Sequence, residues 1–179
     1  IDAICLDDGE RVVPAVMDAL ERRERLDRVP GLRLRTAEGW ASTPASSDPG
    51  DLTCEPSPAR DLVERHRSGY HCLLFRPVWL VETARGCPFR CRFCSVWQLH
   101  GHAFHERPVG DVVEDLASVG DAVFVADDLF WHHPARSREI AEGLRRRGVR
   151  KRWLLVQTRA DLRRDGEADL GGGEGRRGG

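Results

Sequence analysis

Beyond position 78 the apolar residues follow an order that few folds accept. VWLVETA (78–84) reads as a strand. PVGDVVEDLASVG (108–120) reads as a helix, with Val109, Val112, Val113, Leu116 and Ala117 on one face and Gly120 as its stop. AVFVA (122–126) is a buried strand. HPARSREIAEGLRRRG (133–148) is a second helix, with Pro134 suited to its first position and Gly148 to its C-cap. WLLVQ (153–157) is a third strand. Strand, helix, strand, helix, strand with short joints specifies an α/β fold with a parallel sheet and right-handed crossovers. In such sheets functional groups collect at the C-terminal ends of the strands. Here those ends carry RGCPFRCRFC (85–94), then Asp127-Asp128, then Gln157-Thr158-Arg159.

The upstream part has a different texture. IDAICL (1–6) is a short apolar strand, followed by a turn at Asp7-Asp8-Gly9-Glu10. A helix is expected from about Arg11 to Asp27. Its stripe of Val12, Val13, Val16, Met17 and Leu20 should face a core. GLRLRTAEGW alternates around Glu38-Gly39 and reads as a hairpin. Residues 41–60, rich in Ser, Pro, Asp and Thr, read as a linker, and ARDLVERHR as one or two helical turns.

Composition excludes little except the extremes. A formal net charge of −1 gives no global electrostatic reason to bind nucleic acid. The arginine runs ERRER (21–25) and RRRGVRKR (145–152) fit a solvated surface and a helix C-terminus. No stretch of about eighteen apolar residues suggests a membrane span. We expect a reducing, cytoplasmic setting, in which clustered thiols serve a metal rather than disulfides. Ile1 lacks a preceding methionine and GGGEGRRGG is low in complexity, so we also expect a piece of a longer protein.

Of the six cysteines, Cys5 and Cys72 lie in apolar surroundings typical of buried thiols. Cys87, Cys91 and Cys94 cluster with unequal gaps. Three thiolates suit soft metals. A zinc site would need a fourth ligand, for which His100, His102 and His105 are candidates, and the chain would then be a zinc-stabilised binding module. A [4Fe–4S] cluster on three cysteines instead leaves one iron open to a substrate or cofactor.

The spacing Cys-x-x-x-Cys-x-aromatic-Cys, with Phe93 before the last cysteine, resembles the signature loop of the radical S-adenosylmethionine enzymes. That resemblance implies that Cys87, Cys91 and Cys94 ligate a [4Fe–4S] cluster whose open iron takes the amino and carboxylate groups of S-adenosylmethionine. An electron then yields a 5′-deoxyadenosyl radical, and the protein binds, orients and excludes water. It places Phe93 near the adenine, and the end of the second strand, Ala126, Asp127 and Asp128, near the methionine ammonium, where an acidic group is electrostatically sensible. Gln157 at the third strand end joins these cofactor-binding candidates. The resemblance does not say which residues are catalytic.

The N-terminal part, through EPSPAR, resembles the tail of a cobalamin-binding α/β domain running into a radical domain. The implied divisions are 1–40 for that remnant, 41–77 for the linker, 78–164 for a partial (β/α) barrel of about three βα units, and 165–179 for a disordered tail. Cobalamin would be held mainly by sequence upstream. RPVWLVETARGCPFRCRFCSVWQLHG, GDAVFVADDLFWHHP and RGVRKRWLLVQTRADL are most similar to the hopanoid C-3 methylases. This implies a methyltransferase acting on an unactivated ring carbon of a hopanoid lipid. Its implied partners are an electron donor such as ferredoxin or flavodoxin and, for a lipid substrate, a peripheral contact with the inner membrane. Trp97, Phe104, Phe130 and Trp131 would suit an apolar cavity wall or ordinary packing equally. Another cobalamin-linked outcome, a cyclase or methylthiotransferase-like enzyme, remains the alternative. A half-barrel leaves a sheet edge uncovered, so this stretch by itself is expected to be poorly stable and inactive.

Overall fold

The computed structural model describes residues 1–6, 8–45, 52–53, 56–100 and 102–160. Most of the stretch read as a linker between 46 and 55, and the tail from 161 onward, lie outside the described residues. The chain divides into two compact units, Ile1–Asp51 and Leu52–Gly179.

In the first unit β1 (Ala3–Cys5), β2 (Leu32–Thr36) and β3 (Gly39–Ser42) form an antiparallel meander. The register pairs Ala3 with Leu34 and Thr36 with Gly39, so the hairpin read from GLRLRTAEGW is present. Helix α1 (Gly9–Glu21) starts earlier than expected and stops six residues sooner than Asp27. Arg23 adopts a left-handed φ of 56°. The Glu24 N–H then reaches back to the Ala19 carbonyl at 2.8 Å and the Arg23 N–H to that of Leu20 at 3.1 Å. This is a Schellman closure built without glycine, so composition gave no stop signal. The core is Val12, Ala19, Val29 and Leu32, with Val16 packed against it. Val13, Met17 and Leu20 of the expected stripe are exposed instead, as is Cys5.

In the second unit a 3-10 segment (Arg60–Gly69) precedes β4 (Trp79–Val81). After it come β5 (Ala84–Gly86), α2 (Val96–Leu99), β6 (Phe104–Glu106), α3 (Val109–Ser118), β7 (Ala122–Val125), α4 (Pro134–Arg146) and β8 (Trp153–Leu155). Strands β4, β7 and β8 make a parallel sheet in that order, with Trp79 opposite Val123 and Val123 opposite Leu154. Both crossovers are the helices read from periodicity. Val81, Val112, Val113, Leu116, Val119, Val123, Val125 and Ile140 form its core. Gly143 in α4 lies against Val113, where a Cβ would come within 2.7 Å of Val113 Cγ2, so a small residue sets the helix spacing. Gly148, at φ 66°, closes α4 as expected. Gly120 acts through space rather than backbone freedom, because a Cβ there would lie 2.6 Å from the Trp79 indole nitrogen. Lys151, in the arginine-rich run, is not simply solvated. Its ammonium donates to the Val119 and Gly120 carbonyls at 2.7 and 3.1 Å, and burial lowers its pKa. Cys72 is half-buried. Among the described residues, no helix is long and apolar enough to cross a membrane.

The expected strand 78–84 is in fact two. The parallel ladder ends where the Ala126 N–H meets the Val81 carbonyl at 2.9 Å. The next segment turns away and pairs antiparallel with β6, Ala84 opposite Glu106 and Gly86 opposite Phe104. Beneath this break lies a buried polar network. Asp115, 1% exposed in its side chain, accepts from Arg60 Nη1 at 2.5 Å and from Arg107 Nη1 at 2.9 Å. Arg107 also donates to the Glu82 carbonyl at 2.7 Å, and Arg60 to the Leu80 carbonyl at 3.0 Å. Removing one partner from a buried charge cluster leaves the others uncompensated. Asp115→Ala should therefore cost about 3–5 kcal/mol of stability. Urea unfolding measures it, and a loss below about 1 kcal/mol, in the range of an ordinary surface substitution, would refute the network's structural role.

Candidate functional site

The loop between β5 and β6 contains all three clustered cysteines, and the antiparallel pairing of those strands pinches its base shut. Gly86, immediately before Cys87, has φ 87°. A Cβ there would fall 2.3 Å from the Ala103 carbonyl oxygen, so the two ends of the loop approach more closely than any other residue allows. Cys87, Cys91 and Cys94 are half-buried and none is in a disulfide. The Cys94 N–H bonds the Cys91 carbonyl at 3.1 Å and the Trp97 indole N–H bonds the same carbonyl at 3.3 Å, so the middle of the loop is wound into a turn.

The end of β7 holds this loop from behind. Asp127 is 1% exposed. One of its oxygens accepts the Thr83 N–H at 2.6 Å and the other the Thr83 hydroxyl at 2.6 Å. The Thr83 carbonyl takes the Arg107 N–H at 3.0 Å and Arg136 Nη2 at 2.8 Å. Every backbone group of Thr83 is thus satisfied by something other than a strand, which explains the break after β4. Asp128 instead reaches forward. Its carboxylate accepts the Gly86 N–H at 3.1 Å, stays partly exposed, and lies 4.0 Å from His100 Nε2. Ala126 and Gln157 are also exposed at this end of the sheet, and the Gln157 carbonyl accepts the Phe130 N–H at 2.9 Å. Phe93, 94% exposed, stands away from the loop with no packing partner among the described residues.

Other contacts here were not read from the sequence, although His102, His105, Phe104 and Arg159 were named there for other reasons. Arg159 Nη1 donates to Cys91 Sγ at 2.9 Å while its guanidinium lies 4.0 Å over the Phe89 ring. The Phe89 edge meets His132, which also packs edge-on against Phe104. Burial, followed by the neighbouring His133, pushes the His132 imidazole below its ordinary pKa. His133 Nδ1 pairs with Glu106 Oε1 at 2.9 Å. His102 Nδ1, His105 Nε2 and His132 Nδ1 are buried without a hydrogen-bond partner among the described residues. None of these contacts has a local pattern in the sequence. Only the position of Arg159, just past a strand end, marks it.

Among the described residues no three His, Cys, Asp or Glu side chains are gathered closely enough to hold a metal ion. That applies to the three thiols themselves and to any set completed by His100, His102 or His105. The donor chemistry nonetheless fits an iron–sulfur cluster: three thiols outside disulfides on one tightly based loop, one of them already facing a cationic N–H donor.

Asp127 also carries a pH signature. Burial raises its pKa above the ordinary carboxyl range, against the opposing hydrogen bonds from Thr83 and the charge of Arg136. A carboxyl raised in the folded state loses its proton later than in the unfolded chain. Stability therefore declines as pH rises through the interval between the two values. Asp127→Asn removes this decline, so the variant should gain on the wild type between acidic and neutral pH in unfolding measurements. A difference that stays flat across that range would contradict the assignment.

No family model matches the chain. Individual proteins do. It is 33% identical to the hopanoid C-3 methylase of Methylococcus capsulatus over 90% of its own length and 30% of that protein. It is 31% identical to the anaerobic magnesium-protoporphyrin IX monomethyl ester cyclase of Rubrivivax gelatinosus over 92% of its own length and 31% of that protein. The chain thus spans about a third of these curated relatives. Among solved structures it superimposes on OxsB, a cobalamin-dependent S-adenosylmethionine radical enzyme, with a TM-score of 0.63 at 20% identity, covering 84% of this chain and 22% of that one. TsrM, a radical S-adenosylmethionine methyltransferase from Kitasatospora setae, gives 0.60 at 19% identity, covering 82% and 29%. The described fold is therefore the mixed α/β fold of these enzymes, and in sequence the chain is similar to the hopanoid C-3 methylase.

Proposed function

We propose that the chain is part of a cobalamin-dependent radical S-adenosylmethionine methyltransferase that methylates an unactivated carbon of a hopanoid at C-3. The observation that carries this reading is the placement of Cys87, Cys91 and Cys94 on a pinched loop at the C-terminal end of the first parallel strand. The sequence similarity to the hopanoid methylase supports the substrate class.

In this reading the three cysteines hold a [4Fe–4S] cluster. When bound, it supplies the electron for reductive cleavage of S-adenosylmethionine. The chain's own part is placement. Gly86 lets the loop close at its base. Phe93, standing free, offers a ring to the adenine. Ala126 and Asp128 face the methionine end, and Asp128 is the aspartate whose carboxylate is accessible to an ammonium. Asp127 works behind it, on Thr83. Gln157 lines the same rim. Cobalamin is held mainly by sequence outside this chain, and the electron comes from a ferredoxin or flavodoxin. A lipid substrate favours a cytoplasmic enzyme working at the membrane surface.

The similarity to the Rubrivivax cyclase favours a second reading, the same cofactors with a different outcome on the substrate. Anaerobic reconstitution, with iron and sulfide, of the whole protein of which this chain is part separates the readings. We expect a brown protein that cleaves S-adenosylmethionine, and loss of both properties in Cys87→Ser, Cys91→Ser and Cys94→Ser. With cobalamin and a hopanoid supplied, the lipid should gain the mass of one methylene. Cofactor cleavage with an unmodified hopanoid would move the assignment to the cyclase-like reading. A colourless protein holding zinc would end both.

A further inference from the structure

From the contacts of Arg159 we infer that it is a positioning residue that sets the reduction potential of the cluster through the sulfur of Cys91. This rests on the reading that Cys87, Cys91 and Cys94 hold an iron–sulfur cluster.

Arg159 lies four residues past the end of β8, at the same sheet end as the cysteine loop. Three features make its contact with Cys91 more than a chance surface approach. The Nη1 atom lies within hydrogen-bonding distance of Sγ, at 2.9 Å. The guanidinium plane is fixed by the Phe89 ring, 4.0 Å away and two residues before Cys91. A planar guanidinium stacked on an aromatic face loses less freedom per hydrogen bond than a flexible ammonium would. The contact also joins residues 68 apart in sequence, so it ties the third parallel strand to the loop that follows the first.

A hydrogen bond to a thiolate that ligates a cluster stabilises the reduced, more negative state more than the oxidised one. A positive charge at the same place adds to this in a half-buried site, where screening is weak. Arg159 therefore makes the cluster easier to reduce. Among the described residues, Arg159 is the cationic side chain bonded to a sulfur of the three-cysteine set. Phe89 acts through Arg159 by holding the guanidinium in plane.

The test is a redox titration of the anaerobically reconstituted whole protein of which this chain is part, followed by the electron paramagnetic resonance signal of the reduced cluster, with iron counted per chain. Arg159→Gln and Arg159→Lys should retain the wild-type iron content. At the poise where the wild type is half reduced, the reduced fraction should fall several-fold in Arg159→Gln and less in Arg159→Lys. Phe89→Leu, which removes the ring beneath Arg159, should fall between the wild type and Arg159→Gln. Should Arg159→Gln lose its iron, the Arg159→Lys and Phe89→Leu titrations decide the matter in the same way. Midpoints identical to the wild type in a fully loaded protein overturn this inference and leave the proposed function standing. A wild-type protein that takes up no iron overturns both.

Discussion

The second unit turns on one buried carboxylate. Asp127 accepts both the backbone N–H and the hydroxyl of Thr83, 44 residues earlier, and so ends the ladder between the first two parallel strands. Burying a charge costs several kcal/mol unless donors surround it. Two short hydrogen bonds and the nearby Arg136 supply part of that compensation, and burial still raises the carboxyl's pKa. The consequence is directional. Held at Thr83, the chain cannot continue as β4 and leaves the sheet as β5. It enters the cysteine loop with Gly86 already pressed against Ala103. If Thr83 were an ordinary strand residue, Cys87 would lie further along the sheet and the loop base would not close on β6.

Two layers of polar contacts support that bend. On the inner side, Asp115 collects Arg60 and Arg107, and these arginines cap the carbonyls of Leu80 and Glu82. Closer to the site, Arg136 bridges the carbonyls of Thr83 and Arg107. Arginine suits this work because one planar group can satisfy several acceptors that the broken strand leaves unpaired. The chain is rich in arginine, and composition alone would assign that to surface charge. Here part of it replaces the missing sheet partners of a strand that ends early.

What could be read from residues in order was what depends on neighbours in order. Helices α3 and α4, the parallel strands and the Gly148 cap follow from apolar period, Pro134 and glycine placement. The end of α1 could not be read, because Arg23 occupies a left-handed position that usually announces itself as glycine. The exposure of Val13 and Met17 depends on which side of α1 the meander covers, and a stripe of valines does not encode that choice. Strand β6, only Phe104–Glu106, is too short for alternation to mark. At the site, the three thiols and their spacing were visible, and so were the strand ends. The separate duties of Asp127 and Asp128 were not. Adjacent residues at a strand end point to opposite sides, so one turns inward to Thr83 while the other reaches Gly86 and solvent.

This arrangement separates what must stay fixed from what must stay open. Everything behind the loop is paired: Thr83, Asp127, Arg107 and Asp115 are buried and hydrogen-bonded. The groups in front stay open to solvent. Phe93 is almost fully exposed and Asp128 keeps one face to solvent. The same fold at 19–20% identity in OxsB and TsrM shows that the scaffold tolerates wide change in sequence. Differences between proteins of this fold then fall on residues of this open face, because the buried network already has a complete task in holding the loop.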